Sequence, residues 1–298
     1  MMQKLIRRRL CSSGELCEKL AKFGDEPAIF YRKAPPDTEL ADGNYPQIIL
    51  TADKFSDAVR GVSGLLTVDV VCSQMSASPE ELEPYVREEL EGIFFAPVDG
   101  EIFMLKWQRT DVFQEPSSER TPLIVGATVT FEIYEFPTGE TSAPDAVQTL
   151  NLWAAKNFSE AVTIGVTNFG EEFKPSRTQP AIYFDAERIQ LLNQRATVAF
   201  VQATVNAHIF SDTVKARREW LTALNFAILR QGTFLLEDGS PLRLTGAELN
   251  FEATEIQGQL KLTFELGIEK FRPYSHPLMK VNNSVDERLK NVHDKRTD

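Results

Sequence analysis

One short phrase occurs twice in this chain. VTFEIYEF, from Val129 to Phe136, is echoed by LTFELGIEKF from Leu262, and Thr130-Phe131-Glu132 recurs as Thr263-Phe264-Glu265, 133 residues on. Three shared residues are weak evidence alone, so the weight falls on their surroundings. Tyr45-Pro46 is matched by Gln179-Pro180 at a separation of 134, and Thr67-Val68 by Thr197-Val198 at 130. Type, order and spacing of elements recur as well, which is the signature of a tandem duplication and the strongest constraint on what this chain can become.

The first pass begins with Leu5, Ile6 and Leu10 at helical spacing, a break at Ser12-Ser13-Gly14, then Leu16, Leu20 and Phe23. Two short helices follow, the second capped by Ser13. PAIFY (27–31) and YPQIIL (45–50) are short apolar strands on either side of a Pro, Asp and Gly loop. LLTVDVVCSQM (65–75) alternates with a period of two, as a half-buried strand must. Leu82, Tyr85, Val86, Leu90, Ile93 and Phe94 recur every three or four residues, marking one face of an amphipathic helix. Ser78 with Glu81 forms a capping-box pattern, and Pro84 delays the regular helix to Glu83. EIFMLKW (101–107) and VTFEIYEF close the pass.

A stretch rich in Pro, Gly, Ser and Thr begins at Pro137, and the programme then restarts. A short helix around Leu150, Leu152 and Trp153 leads to VTIGV (162–166), QPAIYF (179–184) and ATVAFVQATV (196–205). A helix from about Thr213 to Arg230, PLRLTGAELNF (241–251) and LTFELGIEKF complete it. The expected class is α+β: two similar modules, each a mainly antiparallel sheet with helices on one face. The modules are 1–137 and 146–272, with a linker at 138–145 and a C-terminal arm at 273–298.

Composition narrows function mostly by exclusion. A net charge of −11 opposes wrapping nucleic acid, which needs a basic surface. Three cysteines, Cys11, Cys17 and Cys72, do not make a disulfide framework, and Cys11 and Cys17 stand too far apart for a redox or zinc pair, so they are expected in the core. No signal-peptide pattern opens the chain and no apolar run reaches membrane length, which points to folding in a reducing cytosol.

Chemistry-bearing motifs are sparse. His208, His276 and His293 are not at ligand spacing, and His208 is expected to be a satisfied structural residue. Neither glycine-rich phosphate motif occurs, and Gly61-Val62-Ser63-Gly64 lacks the spacing of a nucleophile elbow. Glu80, Glu81, Glu83, Glu88, Glu89 and Glu91 form the solvated face of a helix, and Arg7, Arg8 and Arg9 that of another. No catalytic, cofactor or metal residue is assigned, and the expectation is a non-enzymatic protein.

The short apolar strand before Ala34-Pro35, the Tyr45-Pro46-Gln47-Ile48 entry and the helix after LLTVDVVC together resemble the tail-terminator or tail-completion proteins of long-tailed bacteriophages. The resemblance spans 1–137 and, through the repeat, 146–271. It implies a ring at the head-proximal end of the tail tube, capping the tube by interface complementarity without covalent chemistry. The implied partners are other copies of the chain, the tail tube protein, a neck or head-completion protein, and DNA sliding through the lumen without sequence-specific contact. The implied location is the virion, assembled in the host cytoplasm, with no membrane role. At about twice the usual length, three chains would make a pseudo-six-fold ring or six a two-tiered one. The hairpin loops Thr51 to Gly64 and Asp185 to Arg195 become the contact candidates, with Lys54, Phe55, Arg60, Arg188 and Gln190 as named residues. A neck or baseplate adaptor stays open beside this, as does a cytosolic binding module or enzyme.

Overall fold

The structure, a computed structural model, describes residues 2–34, 45–55, 61–73, 76–115, 123–138 and 144–270. The C-terminal arm, Arg60 and most of the linker lie outside the described residues.

Helices α1 (Met2–Ser12) and α2 (Gly14–Lys19) open the chain. A tight hairpin of β1 (Lys22–Phe23) and β2 (Glu26–Pro27) turns at Gly24, whose φ of 64° suits a residue without a side chain. Then come β3 (Ile29–Tyr31), β4 (Gln47–Lys54), β5 (Gly64–Ser73), α3 (Pro79–Leu90), β6 (Phe94–Phe95), β7 (Ile102–Glu115) and β8 (Ile124–Phe136). The second half runs α4 (Ala146–Asn157), β9 (Val162–Thr163), β10 (Glu172–Phe173), β11 (Ala181–Gln194), β12 (Val198–Phe210), α5 (Val214–Gln231), β13 (Thr233–Leu235), β14 (Pro241–Leu249) and β15 (Leu260–Glu269). The class is α+β with antiparallel-dominated sheets, as expected from the pattern.

Local physics accounts for most of these elements. Along β5, Leu66, Val68, Val70 and Cys72 are fully buried while their alternate neighbours are half-buried, the period of two read from LLTVDVVC. On α3, Leu82, Val86 and Leu90 at four-residue steps are fully buried in the first core. That helix starts at Pro79, earlier than Pro84 suggested. The Pro84 ring is exposed on the solvent side, so the fold loses one backbone hydrogen bond there while Leu82 keeps its burial. Ser13 and Ser78 occupy N-cap positions, but neither side chain makes the expected capping bond. The side-chain caps are Asp145, which accepts from the N–H groups of Val147 (2.8 Å) and Gln148 (3.0 Å), and Thr213, which accepts from Ala216 N–H (3.2 Å).

Two large sheets result, ordered β10-β6-β7-β8-β5-β4-β3 and β13-β14-β15-β12-β11-β9. With β10 set aside, the two orders are the same. In each, the first strand (β3 or β9) is parallel to the second (β4 or β11) and the remaining neighbours are antiparallel. Phe131 and Phe264 sit on equivalent strands, each fully buried, and each opposes an equivalent strand that bulges beside it, between Trp107 and Arg109 or between Leu244 and Gly246.

This register corrects two sequence correspondences: Leu50 matches Ala186, so Tyr45-Pro46 matches Ala181-Ile182 rather than Gln179-Pro180, and the threonine match moves as well. Thr67 opposes Thr130, and Thr204 opposes Thr263, so Thr67 matches Thr204. Thr197 lies in the turn before β12. Thr197 and Thr204 are seven residues apart, an odd slip that would swap the faces of the strand, but residues 198–201 are apolar at both parities, so the local pattern does not choose between them and the pairing does.

One core lies between the first sheet and α1 to α3, another between the second sheet and α4 with α5. A third, smaller cluster joins the opposite faces of the two sheets: Phe94, Met104 and Phe136 from the first half with Val162, Ile164, Ala181, Tyr183 and Phe210 from the second.

Candidate functional site: a filled joint and open sheet edges

The joint between the halves is built from strand alternation. Ile93 and Phe95 point into the first core, so Phe94 between them points out of the other face of the sheet. There its ring lies 5.1 Å from Phe136 and 5.0 Å from Phe210, which belongs to the second half. Phe136 also meets Tyr183 edge-on at 5.1 Å, and Tyr183 donates its hydroxyl to the Pro137 carbonyl (3.1 Å). Burial pushes the Tyr183 phenol well above its usual range.

Backbone and charge reinforce the rings. β10 leaves the second half and adds to the edge of β6, pairing Glu172 with Phe95 and Phe173 with Phe94. Arg8 pairs with Glu171, and Arg9 bridges Glu89 on α3 (2.7 Å) and Glu172 on β10 (3.2 Å). The three arginines are therefore not merely the wet side of a helix: Arg7 pairs with Glu26 at 2.5 Å, and the other two tie the halves together. Glu255 accepts from Arg217 (2.5 Å) while facing Lys106 of the first half (3.5 Å). His208, 6% exposed, bonds through Nε2 to Asp185 Oδ1 (2.8 Å) and through Nδ1 to the Glu255 carbonyl (2.7 Å), the satisfied structural role expected of it.

Two clefts flank the joint. One, about 540 Å3, runs between Arg87, Lys106, Lys174 and Glu255. The other, about 510 Å3, is lined by residues that include Tyr134, Phe136, Asn151, Asp185 and His208. Some of their polar groups engage each other, as with His208 and Asp185 (2.8 Å) or Lys106 and Glu255 (3.5 Å), while the Asn151 Oδ1 atom is buried without a partner. The cysteines stay apart from this region: Cys72 is fully buried, whereas Cys11 and Cys17 are half-buried thiols in the helical layer rather than core residues.

The sheet edges are the other feature. Residues 185–194 are not a loop, as sequence suggested for 185–195, and nor are 51–54. They extend β11 and β4. Beyond Ile182, β11 has β12 on one side and no strand on the other among the described residues, and from Ala186 to Gln194 every residue is exposed. Ile189, Leu191 and Leu192 stand out there at 58%, 54% and 46% exposure. A bulge between Ala186 and Arg188 resets the alternation, so Ile189 opposite Ala203 shares the face of Phe184 opposite Ala207, and the face that is core at Phe184 is open surface at Ile189.

The contact candidates distribute over two sheets. Arg188 and Gln190 come together on the polar face of the β11 extension, Arg188 Nη2 donating to Gln190 Oε1 at 2.5 Å. Lys54 ends β4 of the other sheet and pairs with Glu135, and Phe55 is half-buried, its N–H closing the hairpin onto the Ser63 carbonyl (2.9 Å). The three- and four-residue spacing put Ile93 and Phe94 on the face of the helix, but α3 ends at Leu90 and Phe94 lies in β6, facing away from the core that holds Ile93, while Ile189, Leu191 and Leu235, the last 71% exposed, were not singled out. A signal for Phe94 and Leu235 existed: the uninterrupted triplets Ile93-Phe94-Phe95 and Phe234-Leu235-Leu236 each follow a long helix, and unbroken apolar runs mark strands covered on both faces.

Compared with protein-family models, with curated proteins and with solved structures, the chain finds no match in any of the three.

Proposed function

We propose that this protein is a non-enzymatic structural protein of a bacteriophage tail or neck, a tandem duplication of a tail-terminator-like module that self-associates into a ring of three or six chains. The ring caps the head-proximal end of the tail tube and joins it to the neck. The observation that carries the proposal is the β11–β12 extension, which presents an open strand edge and three exposed aliphatic side chains. Isolated exposed leucines are ordinary, but an open edge with clustered apolar residues is a template for another chain and is normally blunted when it has no partner.

Three further features support the reading. The joint between the halves is a packed aromatic cluster backed by strand addition and ion pairs, suited to holding two modules as a unit. Polar groups lining the flanking clefts pair with each other, His208 with Asp185 and Lys106 with Glu255. A net charge of −11 suits a channel through which DNA slides.

The test is the native mass of the full chain, alone and with tail tubes of the parent particle, together with electron microscopy of the product. A ring of three or six chains seated at one tube end supports the proposal, and labelling on intact particles separates a terminator from a baseplate adaptor. A chain that stays monomeric under both conditions refutes it. The 510 Å3 cleft with its unpartnered Asn151 favours a second reading, a duplicated binding module, which predicts a ligand-dependent rise in melting temperature for the monomer.

A further inference from the structure

The joint inside the chain has an unoccupied counterpart. Counting from the matched bulges, Trp107 corresponds to Leu244 and Met104 to Pro241. Phe94 pairs with Met104, and Leu235 with Pro241, so Phe94 and Leu235 hold the same position in their sheets. Their neighbours agree: Ile93 and Phe95 are buried in the first core, Phe234 and Leu236 in the second. Only the outward-facing residue differs. Phe94 is fully buried by the second half, whereas Leu235 is 71% exposed.

The edges differ in the same way. β6 receives β10 on its outer side, while β13, its equivalent, has β14 on one side and no strand on the other among the described residues. The Gln231 side chain donates to the Thr233 carbonyl (2.9 Å), which occupies one rung near the helix end. Leu235 lies beyond that rung.

The complementary half of the joint also has a counterpart. In the second sheet the covering face comprises Ile164, Tyr183 and Phe210, from the end of the sheet where β9, β11 and β12 meet. By the register that matches Thr67 with Thr204, Gln47 and Ser73 stand where Tyr183 and Phe210 do, and Phe30, Ile49 and Val71 turn to that same face of the first sheet beside them, Phe30 edge-on to Phe23 at 5.6 Å. Ile29, Ile48 and Val70 alternate with them into the core, and Phe30 and Ile49 are direct neighbours. These three are half-buried, and Gln47 beside them is 4% exposed with its Oε1 atom unpartnered.

We infer that the outer side of β13, centred on Leu235, is a docking surface for the first half of a second copy of this chain, which covers it through the face that carries Gln47, Phe30, Ile49 and Val71, the face that in the second sheet covers Phe94 through Tyr183 and Phe210. The occupant follows from the internal joint: a face of this type already seats on a site of this type within the chain. The contact is head-to-tail, so it propagates from copy to copy and closes into a ring when its rotation allows. It also explains why an unbroken apolar triplet, the mark of a strand buried on both faces, sits at a surface here. The inference rests on the proposal of self-association, and specifies which surfaces meet.

The experiment places the photoreactive p-benzoylphenylalanine at position 235 of the full chain, irradiates the assembled protein and maps cross-linked peptides by mass spectrometry. The expected product joins two chains through β3, β4 or β5. A parallel variant, Leu235→Asp, alters a mostly exposed side chain and should melt within a few degrees of the wild type while weakening assembly at least about tenfold, with Leu235→Ile retaining it. If the wild type assembles but position 235 captures no other copy or only a second half, or if Leu235→Asp assembles normally, the inference is overturned and self-association stands. A wild type that never assembles removes both.

Discussion

Phe94→Ala and Leu235→Ala truncate side chains at one topological position in two sheets, and their costs should differ severalfold. Phe94 is fully buried between Phe136 and Phe210, so its removal forfeits transfer energy and leaves a cavity, together about 3–5 kcal/mol. Leu235 is 71% exposed. Only about three tenths of the roughly 1.5–3 kcal/mol from burying a leucine is available to lose, which limits the cost to about 1 kcal/mol. Urea unfolding of the full chain, at concentrations where it is monomeric, measures both. At roughly 2 °C per kcal/mol for a large chain, Phe94→Ala should also lower the melting temperature by about 6–10 °C. Because the Phe94 ring is shared by both halves, its truncation should separate a single transition into two. A Phe94→Ala loss below about 1.5 kcal/mol, or equal losses for the two variants, would refute the account of the joint.

The double variant Ile189→Asp, Leu191→Asp, at sites a little over half exposed, should cost no more than about 2–3 kcal/mol and leave the chain folded, yet abolish binding to tail tubes in sedimentation. Retained binding would remove the β11–β12 extension from the contact surface. Asp145→Ala deletes the cap of α4 and should cost about 1 kcal/mol by denaturant titration, with Asp145→Asn recovering most of it. Burial pushes the Cys72 thiol up to about 11 from an ordinary 9.0. Over that window the unfolded chain releases a proton that the folded chain retains, so this contribution is complete below pH 9 and is lost as pH rises toward 11, by no more than about 3 kcal/mol. Cys72→Ala should flatten the alkaline decline, and an unchanged slope would assign it to other groups.

Much of the fold was legible because it is written in local periods. LLTVDVVC could only be a strand with one covered face, and Leu82, Val86 and Leu90 only a helical stripe, whatever else the chain did. The recurrence of Thr-Phe-Glu marked equivalent strands, and both phenylalanines are buried as alternation requires. Among the site residues, Arg188 and Gln190 were named and do lie together, while Lys54 and Phe55 belong to the other sheet. The roles of Arg8 and Arg9 were hidden because their partners, Glu171 and Glu172, are more than 160 residues away in sequence.

Most elements and the apolar side of their strands were written locally, since period and propensity act within a few residues, but the reach of β11 past Asp185 and the end of α3 at Leu90 were not. Tertiary structure alone decided which apolar sides became interior. Ile93-Phe94-Phe95 and Phe234-Leu235-Leu236 are near-identical local messages. One middle residue is enclosed by Phe136 and Phe210 and the other faces solvent, because burial depends on what another part of the chain brings to that face. Register obeyed the same division: residues 198–201, between Thr197 and Thr204, are apolar at both parities, and only the ladder to Thr263 chose between the two threonines.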